Sequence, residues 1–131
     1  MERVSGWMIC FAGLSGAVAV LIAAATAHEP PKYLSDDNLA RIQTAVRYQI
    51  WHALVLLATA AIFSWRPAGL LVGAGVAFGV GSLLFCGGLY LLGFVGLASV
   101  TWMVPLGGLA FVTGWLLLAL QGLRIVYAGR K

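Results

Sequence analysis

Charge is what this chain lacks most. Eight Lys or Arg and four Asp or Glu are spread over 131 residues, 9% of the total. A soluble domain carries about 25%, and a chain of this size would lack the polar surface to face water on all sides. The four carboxylates, Glu2, Glu29, Asp36 and Asp37, sit near the amino terminus or in one short polar segment. No acid pair therefore stands inside an apolar stretch. Cysteine is equally sparse. Cys10 and Cys86 form neither a disulfide framework nor a metal box by spacing. The helix count puts them roughly 20 Å apart along the membrane normal, so each is expected to be a small apolar filler. There is no Gly-x-Ser-x-Gly, no phosphate loop and no His-Glu-x-x-His. No basic stripe interleaved with aromatics is present, which excludes nucleic acid as a partner. The expectation is a non-enzymatic protein with no catalytic residues, no metal site and no resident cofactor.

What is there is apolar. Hydrophobic residues make up 62% of the chain and the mean hydropathy is +0.98. Four segments reach the roughly 20 residues that a spanning helix needs, at about 5–27, 45–64, 68–93 and 103–124. The four prolines all fall at their edges. Pro30 and Pro31 stop the first. Trp65-Arg66-Pro67 separates the second from the third so closely that these two must be antiparallel neighbours. Gly93-Phe94-Val95-Gly96 ends the third. Pro105 fits the first turn of the fourth, where a missing N–H costs nothing. Ala25-Thr26-Ala27 also matches a small-x-small cleavage pattern, but the apolar run before it is long for a signal sequence, so an uncleaved first span is expected.

The polar segment between the first two spans carries helix-start signals. Ser35 is a good N-cap, and Asp36 and Asp37 suit the helix dipole. Leu34 and Leu39 have the spacing of a hydrophobic staple, and Asp37 and Arg41 can pair four apart. The second helix is thus expected from about 36, outside the hydrocarbon. The reading is all-α: one integral membrane four-helix bundle over 1–131, with helices at about 5–27, 36–64, 68–93 and 103–126. An even number of spans puts both termini on one side. That side holds Arg3, Arg66, Arg124, Arg130 and Lys131, which argues for a cytoplasmic location of both termini. Arg47, Arg66, Arg124, Arg130 and Lys131 are the expected lipid-headgroup contacts, with Arg47 able to reach Glu29. Trp7, Trp65 and Tyr127 would line one interface, and Tyr48 and Trp102 the other, with Trp115 packed inside. Four-residue spacing of small residues, Ala12/Gly16, Gly69/Gly73 and Gly75/Gly79, marks candidate helix contacts.

His52 is the exception within the second apolar run, about 10 Å below the outer boundary at 1.5 Å per residue. Ionisable groups at such depth need a partner or a task. Thr44, Tyr48 and His52 share one face at i, i+4, i+8, as do Ser82, Cys86 and Tyr90 on the third helix. Thr113 is expected to enter from the fourth and His28 closes the first. Together these eight form the candidate polar cluster. The simplest role for His52 is a neutral imidazole bonded to a neighbouring helix. The alternative is a haem- or quinone-binding redox protein using His52, and a further one is a small permease or channel.

Several motifs also resemble a known family. Thr44-Ala45-Val46-Arg47-Tyr48-Gln49 with Trp51-His52-Ala53-Leu54 is similar to the second helix of the YgdD-like family of small four-helix membrane proteins of unknown function. Phe85-Cys86-Gly87-Gly88-Leu89-Tyr90, then Pro105 to Phe111 and Gly114-Trp115, resemble its later motifs, and Ala27-His28 its early Gly-Ala-His. Family members usually carry Ser at the position of Cys86 and Thr at that of Val104. The resemblance implies four spans and a bacterial inner (plasma) membrane, or the mitochondrial inner membrane in a eukaryote. It implies no reaction. The expected function is a structural or accessory subunit of a membrane assembly, a respiratory one among the candidates. Its partners would be membrane lipids and either other membrane-protein subunits or further copies of itself.

Overall fold

The computed structural model describes residues 2–27 and 34–129. They form four long helices: α1 (Glu2–Ala27), α2 (Asp36–Trp65), α3 (Gly69–Val95) and α4 (Met103–Ala128). Each is long and apolar enough to cross a membrane. No strand occurs among the described residues. The 26 residues of α1 span about 39 Å at 1.5 Å per residue, against a hydrocarbon core of about 30 Å.

The ends follow local chemistry. Ser35 is extended and its Oγ accepts from the Asn38 N–H at 3.3 Å, capping α2 as its side chain predicts. Arg41 donates to Asn38 Oδ1 at 2.9 Å, so it turns to the amide three residues back instead of pairing with Asp37. α3 stops at Gly96, whose φ of 68° lies in the left-handed region that glycine enters freely. The Gly96 N–H and, at 3.3 Å, the Leu97 N–H then close on the Leu91 carbonyl, one residue wider than a Schellman turn because the last turn of α3 is π-helical. One 3₁₀ turn, Ala98–Val100, leads into α4, with Pro105 in its first turn as expected.

α3 is not uniformly α-helical. Two π turns, Ser82–Cys86 and Leu91–Val95, widen it around a short α segment. Such turns carry an extra residue and re-aim the side chains beyond them.

The topology is up-down-up-down. α1 packs chiefly along α2, α2 along α3, and α3 along α4. Successive contacts run in opposite directions, so the Glu2 end of α1 and the Ala128 end of α4 lie on one side. Arg3, Arg66 and Arg124 are exposed at that side. Arg130 and Lys131 lie outside the described residues, as does Glu29, the expected partner of Arg47.

The tightest contact is an antiparallel exchange of phenylalanine and glycine between α3 and α4. Phe85 lies across Gly107, Phe111 across Gly81, and Phe78 across Gly114. A Cβ on Gly114 would stand 2.6 Å from Phe78 Cε1, and one on Gly107 would run into the Phe85 backbone itself. Lipid gives helices no hydrophobic reason to associate, so such close approach supplies the dispersion contact that holds them. The small-residue pairs expected from spacing are only partly used. Gly75 receives Met8, and Gly73 meets Leu117. Gly16, Gly69 and Gly79 face open space. Lipid-facing positions are apolar too, and spacing alone does not tell a glycine facing lipid from one facing a helix.

Candidate functional site

The buried stripe of α2 runs Ile42, Ala45, Gln49, His52, Leu56, Thr59 and Phe63. That three-and-four spacing is the face the helix turns to its neighbours. Of its three polar members, Thr59 returns its hydroxyl to the Val55 carbonyl at 2.8 Å, and Gln49 and His52 do different things.

Gln49 joins three helices. Its Nε2 donates to the Ser15 carbonyl of α1 at 3.0 Å, and its Oε1 accepts from the Tyr90 hydroxyl of α3 at 2.6 Å. Among the described residues the interhelical side-chain hydrogen bonds are therefore the glutamine's. It was not among the expected site residues.

His52 bonds within its own helix. Its Nδ1 lies 2.8 Å from the Tyr48 carbonyl. A carbonyl only accepts, so Nδ1 carries the proton and Nε2 presents a lone pair. Nε2 is buried and has no hydrogen-bond partner among the described residues. The ring stacks on Phe111 of α4 with centroids 3.5 Å apart and planes 14° off parallel. Phe78 tilts against it at 5.8 Å and Trp115 meets it edge-on at 6.4 Å. His52 thus sits on the phenylalanine–glycine contact, and the expected hydrogen bond to a neighbouring helix is replaced by stacking. Helix α4 offers there an aromatic face where a polar group was expected.

The other expected residues divide. Ser82, Cys86 and Tyr90 do come together. With Ser15, Gln49 and Gly87 they line a cavity of about 330 Å³ between α1, α2 and α3. Tyr48 belongs elsewhere. It is half-exposed and leans on Phe85 at 4.8 Å, so it is part of the aromatic group and does not line the cavity. Thr44 and Thr113 return their hydroxyls to their own helices, to the Ala40 carbonyl at 2.9 Å and the Leu109 carbonyl at 2.9 Å. Thr113 is exposed and takes no part in the cluster, because Phe111 and Gly114 define the inward face of α4. Cys86 is buried, as a filler should be, but Cys10 faces outward. His28 lies outside the described residues. Of the described members, Ser82, Cys86 and Tyr90 line a largely apolar cavity on one side of α2, Tyr48 and His52 join an aromatic stack on the other, and Thr44 and Thr113 belong to neither.

Further cavities flank these. One of about 350 Å³ lies between α1 and α3 beside Trp7, Met8 and Gly75, and is almost wholly apolar. Another, about 320 Å³, lies beside Thr26, Gln43 and Arg47. His52 lines none of the three. Among the described residues no three His, Cys, Asp or Glu converge as a metal site.

Trp51 and Trp115 complete the picture. Trp51 is 64% exposed and Trp115 50% exposed. Trp115 stands about 18–20 Å along α4 from either end, and Trp51 adjoins His52 at the same level. The expectation that Trp115 is enclosed therefore holds for one face only, which packs on Phe78 at 5.7 Å. Trp7, Trp65 and Trp102 are exposed nearer the helix ends, where membrane tryptophans ordinarily gather.

Comparison with known proteins follows the same lines. A family model described as a protein of unknown function, DUF423, matches residues 22–108. The chain is 31% identical over 125 residues to the UPF0382 inner membrane protein YgdD of Escherichia coli K12, covering 95% of both chains. It is 35% identical over 108 residues to a UPF0382 membrane protein of Haemophilus influenzae, covering 81% of this chain and 85% of that one. A UPF0382 membrane protein of Staphylococcus haemolyticus is 31% identical over 122 residues, covering 85% and 93%. No solved structure matches. With four spanning helices and relatives of this kind along nearly its whole length, the chain is a multi-pass membrane protein and belongs to the DUF423, or UPF0382, family.

Proposed function

We propose that this protein is a non-enzymatic accessory subunit of the bacterial inner membrane, docking on another membrane protein through helix faces. The observation that carries this reading is the pair Trp51 and Trp115, both directed outward at mid-membrane level. Tryptophan gains from the interface, where its N–H meets water. Placed deep against lipid tails, that N–H has nothing to bond. A partner helix would supply both an acceptor and a packing surface. The narrow turn from Arg66 to Ala68 and the short segment from Gly96 to Trp102 offer little extramembrane surface for docking, which favours contact within the bilayer. Arg47, Arg66 and Arg124 are exposed and suit lipid head groups.

Native purification in mild detergent followed by mass spectrometry tests this. The expected result is a stoichiometric assembly that contains another membrane protein and is lost in Trp51→Leu or Trp115→Leu. A second copy in place of that partner would make the face a self-association surface. A chain that runs alone, or an assembly indifferent to both substitutions, would refute the reading.

The redox reading has one observation in its favour, the unpaired Nε2 lone pair of His52. The visible spectrum of the purified protein tests it: a haem band lost in His52→Ala would establish it and displace the accessory role.

A further inference from the structure

Hydroxyls in membrane helices ordinarily return to a carbonyl one turn back, and in this bundle they do. Thr26, Thr44, Thr59, Ser64 and Thr113 each bond the carbonyl four residues earlier, at 2.8–3.0 Å. Ser15 and Ser82 do not. Each is 92% buried, with 8% of its surface exposed, and neither hydroxyl has a hydrogen-bond partner among the described residues. Both line the 330 Å³ cavity, from the α1 wall and the α3 wall. Between them stands Gln49. Its amide carries two N–H groups, of which one is given to the Ser15 carbonyl. Ser82 opens the first π turn of α3, and Gly87 follows that turn, removing a side chain where the cavity needs space. A Cβ at Gly87 would touch nothing within 4 Å. Three unspent donors, one on each of three walls of one largely apolar cavity, form a built binding site.

The surroundings define the ligand. No charged residue lines the cavity, so a phosphate or carboxylate would be stranded there. Ser15 and Ser82 stand about 18–20 Å along their helices from either end, well below the level of phospholipid head groups. Leu14 and Leu83 are exposed at the rim, so the opening faces the lipid tails. We propose that this cavity binds a neutral, long-chained lipid whose polar end is one or two uncharged oxygens, which accept hydrogen bonds from Ser15, Ser82 and Gln49 at mid-membrane depth. Isoprenoid quinones and isoprenoid alcohols share that chemistry. The site is separate from His52 and from the Trp51–Trp115 face.

The test is native mass spectrometry of the whole protein in phosphatidylcholine nanodiscs, titrated with decyl-ubiquinone in one arm and farnesol in the other. Saturable one-to-one binding of either probe is expected. Binding of the quinone alone identifies a carbonyl ligand, and of the alcohol alone a hydroxyl one. Ser82→Ala and Ser15→Ala each remove a single oxygen, and each should weaken binding about fivefold, the effect of one hydrogen bond. Gly87→Leu fills the cavity from a position with room for it, and should abolish binding while the helical circular dichroism and thermal midpoint are kept. Should Gly87→Leu misfold, the two serine variants still decide the matter. No saturable binding of either probe would overturn the proposal. So would binding unchanged in all three variants, or retention of a phospholipid at this site in their place.

Discussion

Gln49 ties α1 and α3 to α2, and its removal can be worked through. Gln49→Met keeps length and apolar volume but deletes both interhelical bonds, the 3.0 Å bond to the Ser15 carbonyl and the 2.6 Å bond from Tyr90. Interhelical hydrogen bonds in membrane proteins average about 0.6 kcal/mol and reach about 1.7. The Tyr90 bond is short and within a low-dielectric bundle, so it belongs near the upper figure. The Ser15 carbonyl is an additional acceptor on a helix and belongs near the mean. Gln49→Met should then cost about 2 kcal/mol. Tyr90→Phe should cost about 1–1.5 kcal/mol by the same scale. In the double variant the tyrosine bond can be lost only once, so the coupling should be about 1 kcal/mol or more. The assay is a double-mutant cycle in mixed micelles with SDS as denaturant, followed by far-ultraviolet circular dichroism. Additive costs within about 0.3 kcal/mol would refute the claim that Gln49 and Tyr90 act as one unit.

Other outcomes follow from the packing. Gly107→Ala pushes a methyl into the Phe85 backbone and should destabilise by about 1–3 kcal/mol or more, whereas Gly16→Ala and Gly79→Ala meet open space and should stabilise by up to about 1 kcal/mol; SDS midpoints of the three compare them directly. His52→Phe keeps a ring against Phe111 and removes the unpaired Nε2, so it should stay within about 1 kcal/mol of the parent, while His52→Ala leaves a cavity and should cost about 2–4 kcal/mol. Cys10 is exposed and Cys86 buried, so a membrane-permeant maleimide should modify Cys10 first, with a single adduct at early times by mass spectrometry; equal rates would contradict the burial of Cys86.

The sequence was most legible where one residue suffices to act. Ser35 caps α2 because its own side chain reaches the Asn38 N–H, and Gly96 ends α3 because glycine alone enters that backbone region cheaply. Span number and approximate bounds rest on apolar length, which is also local. What depends on helix rotation was harder to read. Thr44, Tyr48 and His52 share a face, but the buried stripe passes through Gln49 and His52 and leaves Tyr48 half-exposed. In a soluble protein the apolar face would mark the inward side. In a bilayer both sides are apolar and that signal vanishes. Gln49 could have been found by its chemistry, since an amide in an apolar run needs a partner as much as an imidazole does. The phenylalanine–glycine exchange is visible afterwards as Phe78-x-x-Gly81-x-x-x-Phe85 against Gly107-x-x-x-Phe111-x-x-Gly114. Only the antiparallel register of α3 and α4 turns these two patterns into one contact.

The proposed accessory role rests on the exposure of Trp51 and Trp115 near the middle of their helices. Native mass spectrometry of the protein purified from its own membranes, beside Trp51→Leu, tests that most directly. The account predicts a defined assembly with a second membrane protein in the parent and the chain alone in the variant. A parent that flies alone, or a variant that keeps the same assembly, would contradict it.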